Sequence, residues 1–295
     1  MKHSYYEASA RQRLDGLLDT GSFHELLPPV ERAVSPHLPL LDLPVAFDDG
    51  VIVGKGMLEG RSVLAAAQEG GFMGGAVGEV HGAKLTGLFE RAIDERPAAV
   101  ILLLESGGVR LHEANAGLIG VSEIMRSLLA ARVAGVTVVA MIGSTYGCFG
   151  GMGIVAKCCD VVVMSEEGRL GMSGPEVIET ANGVEEFDSR DRALVWRTVG
   201  GKHRYLLGDA QQLVEDDIAA FRAAAVRALD MREAFTLPAL LAEHASLTQR
   251  IDRFGKCRDA LDVWRELGFS EPQRLPLLDN AAFLALCEMV RGESQ

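Results

Sequence analysis

Two short stretches hold the residue types best suited to chemistry. ESGGVRLHE (105–113) follows the apolar run VILLL, and GSTYGCFGGMG (143–153) follows VTVVAMI. In each, a buried-strand pattern stops and breaks into adjacent glycines. Glycine tolerates φ > 0 and, lacking Cβ, lets backbone N–H groups approach a ligand closely. The first stretch offers the amides of Gly107, Gly108 and Val109; the second offers those of Gly150, Gly151 and Met152. If strands 100–104 and 136–142 are neighbours, one amide from each loop can grip a single carbonyl oxygen. That arrangement is an oxyanion hole, reinforced by the positive end of a following helix. The plain alternative is that these glycines only make turns, as glycines after strands commonly do. A phosphate cradle is a third reading. FMGGAVG, SGGVR and CFGGMG match neither GxGxxG nor GxxxxGK(S/T), so a nucleotide site is weakly supported.

Side chains around the loops are less decisive. His112 and Glu113 suit acid–base work, yet such residues more often orient a loop by hydrogen bonding. Arg110 can pair with a substrate carboxylate, or internally with Glu105 or Glu113. Tyr146 and Cys148 flank the second loop and can line a pocket. A nucleophilic Cys148 needs a base partner that the sequence does not reveal. Lys157 reads as a helix cap, and His81 with Glu79 as structural residues on a helix. No His/Asp/Glu cluster has metal-ligand spacing, so no metal is expected.

The elements that must position these loops follow a repeated order. Residues 4–27 read as an amphipathic helical lead-in that stops near Asp19–Thr20–Gly21, and 28–44 is proline-rich and extended. A hairpin turns at Glu59–Gly60. Gly74 and Gly75 precede a helix of about 14 residues. Strand, glycine loop and helix then occur twice in series, through AVILLL, the helix near 116–132, VTVVAMI and the short helix GIVAK, before the strand 160–165. Repeats of this kind suggest a mostly parallel layered α/β sheet, with ligand sites at the carboxyl ends of strands. From 212 to 266 the pattern is long alanine- and leucine-rich helices. The domains read as a helical and extended lead-in over 1–45, a core over 46–215, and a helical C-terminal extension over 216–295.

Composition bounds the function. The 295 residues carry a formal net charge of −12, which argues against nucleic acid, since phosphate binding needs clustered Lys and Arg. No run of about 18 apolar residues suggests a membrane span. The N-terminus has no apolar signal core, so the cytoplasm is the expected location. The five cysteines form no CxxC pair. That indicates neither a zinc ribbon nor a disulfide framework, and Cys158 and Cys159 read as buried reduced thiols.

Together, GFMGGAVGEVHGAK (71–84), ESGGVRLHEA (105–114), CFGGMG (148–153) and GMSGPEVIE (171–179) stand in the order seen in carboxyltransferase β subunits of the crotonase superfamily. The resemblance covers roughly residues 50–215 and implies a crotonase-like superhelix of ββα units, of the carboxyltransferase N-type. Within that family the chain most resembles malonate decarboxylase β subunits of the biotin-independent kind. The opening SYYEASARQRLDGLLDTGSFHELL, the tail 212–266 and the lack of a four-cysteine ribbon carry that likeness. Carboxylases usually read SGGAR where this chain has Val109.

The resemblance implies a heteromeric enzyme. A β subunit paired with a homologous γ subunit decarboxylates malonyl-S-acyl carrier protein. An α subunit exchanges the acyl groups. The carrier holds them on a phosphoribosyl-dephospho-CoA arm, and the β subunit binds no cofactor and needs no biotin. Under this reading Gly107, Gly108, Val109, Gly150 and Gly151 are catalytic through their amides. Gly74, Gly75, Arg110, Tyr146, Phe149 and Met152 meet the thioester substrate, with Val109, Leu111, Phe149 and Met152 as apolar wall, and His112 is a candidate proton donor. The competing readings are a biotin-dependent carboxyltransferase β subunit, a non-catalytic scaffold for the γ subunit, and a generic acyl-CoA hydratase or isomerase.

Overall fold

The buried β-branched runs build the sheet. A computed structural model describes residues 3–43 and 49–293, so the expected 45/46 boundary lies outside the described residues. Strands β1 (His24–Leu26), β2 (Val51–Leu58), β3 (Arg61–Gln68), β4 (Ala99–Leu103), β5 (Thr137–Ile142), β6 (Val161–Ser165) and β7 (Gln212–Val214) form one seven-stranded sheet in chain order. The first pairings are antiparallel and all from β3 onward are parallel. Every residue of β4, β5 and β6 is buried. Strands covered on both faces read in this way as continuous Val, Ile and Leu.

Helices cover both faces. On one side α2 (Glu79–Glu95), α3 (Ala116–Val133) and α4 (Gly151–Lys157) pack through Phe89, Ile124, Leu128 and Met152 onto alternate sheet residues. On the other side lie α1 (Ala10–Leu17) and, far along the chain, α8 (Ile218–Ala228). The Tyr5 ring stacks on Phe221 with centroids 3.8 Å apart. Before α8 come α5 (Pro175–Asn182), α6 (Arg192–Val199) and α7 (Gly201–Leu206); after it come α9 (Leu237–Phe254), α10 (Ala260–Glu266) and α11 (Asn280–Glu293).

The expected layered α/β core is present, with differences in detail. Only Ala10–Leu17 of the lead-in is an α-helix, capped by a Ser9–Gln12 capping box, and His24–Leu26 joins the sheet as β1. The proline-rich stretch is not fully extended. Pro29–Glu31 and Leu38–Leu41 are 3₁₀ turns with proline in the first turn, where its fixed φ suits a helix start. The expected boundary at 215/216 does not follow the packing. Residues 212–214 are a strand, and α8 covers the sheet beside α1, so lead-in, core and α8 share one apolar cluster. Further along, Trp264, Phe269, Leu275 and Phe283 build a separate cluster between α10 and α11.

Candidate active site

The loops after β4 and β5 lie side by side because their strands are parallel neighbours, with Leu103 opposite Met141. Past the sheet the two chains stay laced. Ser106 N–H donates to Gly147 O at 2.8 Å, and Phe149 N–H donates to Ser106 O at 2.8 Å. Two further segments flank them. Gly107 N–H donates to Gly74 O, and Val77 N–H to Gly108 O, at 2.8 and 2.9 Å. On the far side, Cys148 N–H donates to Arg169 O and Gly150 N–H to Met172 O, at 2.8 and 2.9 Å. Parallel bridges Val77–Val109, Ser106–Cys148 and Cys148–Leu170 record the same lacing. The four glycine-bearing motifs of the sequence are therefore four adjacent segments of one rim.

Backbone direction decides which amides are free. In extended chain, successive N–H groups point to alternate sides. Ser106 faces the second loop, while Gly107 faces the segment 74–77. Gly108, at φ 136°, breaks the alternation, because its carbonyl also faces 74–77. Arg110 N–H donates to Val77 O on that side too. Val109, between them, therefore points its N–H back toward the second loop, and that N–H takes no part in the lacing. The second loop makes a matching turn at Gly150, with φ 63° and ψ −140°, a conformation essentially restricted to glycine. A Cβ there would sit 3.1 Å from Gly108 Cα, so the loops touch at their glycines. Gly151 and Met152 then open α4, and first-turn amides have no helical carbonyl to bond.

This geometry corrects part of the expected site. The amides of Gly107 and Gly150 are engaged by Gly74 O and Met172 O, so these glycines shape the rim and do not offer donors to a ligand. Gly108 N–H has only Ser106 Oγ, at 3.2 Å. Among the described residues, the donors left for a ligand are Val109 and Gly151, with Gly108 beside them; Met152, though in the first turn of α4, is wholly buried. Gly75 is also a shaping residue, since a Cβ on it would lie 1.8 Å from Glu105 O. Gly74 contributes its carbonyl to Gly107.

The side chains expected against substrate fare differently. Arg110 is buried. Its guanidinium donates to Ala76 O at 3.0 Å, to Glu113 Oε1 at 3.1 Å, and to Asp49 O. It ties loop one to its surroundings instead of meeting a substrate carboxylate. The Phe149 ring packs with Phe187, Val195 and Val199, and the Met152 side chain lies in the main core. Neither side chain forms pocket wall. Tyr146 stays 46% exposed at the second loop. Leu111 is exposed and Val109 half-buried just past the first. His112 is partly exposed, with Nε2 3.8 Å from Glu113 Oε1. Cys148 is fully buried, and burial pushes its thiol pKa up, which removes it as a nucleophile. Lys157 caps no helix end by hydrogen bond but pairs with Asp209 at 3.3 Å.

Sequence reading missed the buried polar frame beneath the rim. Glu105 pairs with Arg13 of α1 at 2.6 Å, with both side chains almost wholly buried. Glu105 N–H donates to Gln68 Oε1 at 3.0 Å. Gln68 Nε2 faces His81 Nε2 at 3.0 Å, and His81 Nδ1 faces Asp49 O at 3.1 Å. The network assigns the proton to Nδ1. Burial first, then the charges of Arg110 and Lys84, pull the His81 pKa down to about 3, so the ring is neutral and serves as a fixed link. His81 is structural, as its helical position suggested.

A cavity of about 770 Å³ lies between the 38–41 turn and α2 and α3. Glu79, Glu90, Glu113 and Glu123 are among its lining residues, and Gly107, Gly108, Gly150 and Gly151 are not. These glutamates are paired with His37, Arg126 and Arg110. Among the described residues, no group of His, Cys, Asp and Glu is placed to hold a metal ion, and no helix is long and apolar enough to cross a membrane.

Parallel strands ending in paired amide loops on a layered sheet define a class, and the comparisons agree with it. Residues 2–225 match the carboxyl transferase domain, and the chain belongs to that family. It is 40% identical, over 98% of its length and 97% of the relative's, to the malonyl-S-ACP:biotin-protein carboxyltransferase MADC of Malonomonas rubra. In structure it resembles a chain of a Pseudomonas malonate decarboxylase hetero-tetramer in complex with malonate, with TM-score 0.79 and 38% identity over 90% of this chain and 97% of that one. A Pseudomonas MdcD–MdcE hetero-dimer gives TM-score 0.67 and 35% identity over 83% and 96%.

Proposed function

We propose that this chain is the β subunit of a cytoplasmic malonate decarboxylase, working with a γ subunit on malonyl-S-acyl carrier protein. The observation that carries the proposal is the pair of touching loops that leave the N–H groups of Val109 and Gly151 uncommitted on one rim. Two of the similar solved structures are malonate decarboxylase assemblies, which supports the substrate class and a heteromeric complex.

The chemistry follows from where charge develops. Breaking the C–C bond of a malonyl thioester releases CO₂ and leaves the electron pair as an enolate, with negative charge on the thioester oxygen. Amides aimed at that oxygen bind the enolate more tightly than the ground-state carbonyl, which is what lowers the barrier. One such donor is worth about 3 kcal/mol. Helix α4 has only seven residues, so the local amides matter more than any long-range dipole. Val109 and Leu111 give the departing carboxylate an apolar neighbour, which favours loss of its charge. A proton then converts the enolate to the acetyl thioester; His112, beside loop one, is the candidate donor. The acyl group arrives on the carrier's phosphoribosyl-dephospho-CoA arm, loaded by an α subunit, and this chain itself binds no cofactor.

A second reading has its own support. The Malonomonas relative is named for transfer of the carboxyl group to a biotin protein, and the same amides would serve the same enolate. The test is decarboxylation of malonyl-S-carrier by the chain co-purified with its γ partner, with and without a biotinylated carrier. Acetyl thioester and CO₂ formed without biotin support the decarboxylase. Turnover only when biotin accepts the carboxyl group moves the assignment to the carboxyltransferase. No turnover of either kind by an assembled complex leaves a scaffold.

A further inference from the structure

We propose that the buried Glu105–Arg13 ion pair is a positioning device that holds the two amide loops in register. It rests on the enolate-stabilising reading above. Glu105 is the last residue before loop one and touches every part that must stay aligned. Its Oε2 takes Arg13 Nη1 at 2.6 Å, and its Oε1 takes the N–H of Tyr146 in loop two at 3.2 Å. Its own N–H is held by Gln68 at the end of β3. Gly70 packs against the same carboxylate, where a Cβ would lie 2.6 Å from Oε1, and Gly75 packs against its carbonyl. Arg13 is fixed in turn, since its Nε donates to Tyr5 O at 2.9 Å and its guanidinium lies 5.0 Å from the Tyr5 ring centroid. A carboxylate accepts from two sides at once, so this one links loop one, loop two and α1 at a single point.

An unpaired charge buried here would be costly. Mere packing of the loop roots could be done by apolar residues of similar volume. The ionic pair adds direction: the carboxylate is turned by Arg13 so that its other oxygen meets Tyr146 N–H. Loop two is thereby set against loop one before any substrate arrives. Neither residue reaches the rim, so both act through the loops.

The experiment uses the assembled complex, with Glu105→Gln, Arg13→Gln, Arg13→Lys and the double glutamine variant. Expected are a kcat at least tenfold lower for each single glutamine variant with KM within threefold of wild type. Arg13→Lys, which keeps the charge but not the fork, falls between them and wild type. The double variant falls by less than the product of the two singles. Hydrogen exchange of the Tyr146 amide is expected to quicken at least tenfold in Glu105→Gln. Wild-type kcat and unchanged Tyr146 exchange in assembled variants overturn the proposal, as does failure of all four to assemble, which assigns the pair to folding alone. If the wild-type complex itself turns over no malonyl thioester, the functional reading fails instead, and Tyr146 exchange alone decides the structural claim.

Discussion

The two glycine loops present the same kind of donor but are braced in opposite ways. Loop one stands on charge. Glu105 pairs with Arg13, Arg110 pairs with Glu113, and Glu113 Oε2 accepts Glu79 N–H at 2.7 Å. Loop two takes one bond from the Glu105 carboxylate, through Tyr146 N–H, and otherwise stands on apolar packing. Phe149 sits among Phe187, Val195 and Val199, and Cys148 and Met152 are sealed in the core. A Cβ on Gly151 would come 2.6 Å from Val121 Cγ1. Charge holds direction at modest volume; close packing holds position and resists added atoms. The contrast says that loop two is the sterically unforgiving half of the rim, and loop one the half sensitive to loss of charge.

The largest expected effect tests the steric half. Gly150→Ala puts a Cβ at a backbone conformation reserved for glycine and 3.1 Å from Gly108 Cα. The loops must part, and a misplaced donor costs about 3 kcal/mol of barrier, or roughly 10²–10³ in kcat. Steady-state kinetics of the complex should show that fall with little change in KM. Gly108→Ala is milder. Its φ of 136° is strained for alanine, but nothing lies within 4 Å of the added Cβ. Strain of about 1–3 kcal/mol should lower the melting temperature, and kcat should fall roughly tenfold, about 1.4 kcal/mol of barrier. A Gly108→Ala complex less active than Gly150→Ala would break the contrast.

How much of this was legible in the sequence depends on the range of each interaction. The parallel core strands and their glycine exits are local patterns, and both loops stand where those patterns put them. Which amides remain free is not local. It depends on segments 74–77 and 169–172 being laced alongside, and on Gly108 breaking the alternation. The Glu105 partner was out of reach because Arg13 lies 92 positions away in the chain. Phe149 and Met152 show another limit: apolar residues beside a loop suit pocket wall or core equally, and only the turn into α4 sends them inward. Strand β7 escaped notice at three residues, too short for a period-2 signal. The pairing of α1 with α8 on one sheet face joins residues 10–17 to 218–228, so any linear division into lead-in, core and extension had to cut through it.

Two buried histidines sharpen the contrast through pH, with stability and not turnover as the readout. His81 supports loop one, and His203 accepts from Trp264 Nε1 at 3.1 Å, beneath the C-terminal cluster. Burial above all, with nearby arginines, lowers both pKa values to about 3. The unfolded chain binds protons at 6.5 that the folded one does not. Stability therefore falls as pH drops below 6.5, by about 1.4 kcal/mol per pH unit for each histidine, until about pH 3. Denaturant midpoints measured between pH 7 and 5 should show this slope, and His81→Gln should reduce it by about half; an unchanged slope would place the acid sensitivity elsewhere.

Trp264→Phe is the smallest change. It leaves His203 Nδ1 without its donor, a loss of about 1 kcal/mol. The melting temperature should fall by a few degrees while kcat stays at the wild-type value, because Trp264 and the core of the rim lie in separate apolar clusters. A fall in kcat on that substitution would mean that the extension is coupled to the loops. The division between a charge-braced and a packing-braced half would then omit a third support.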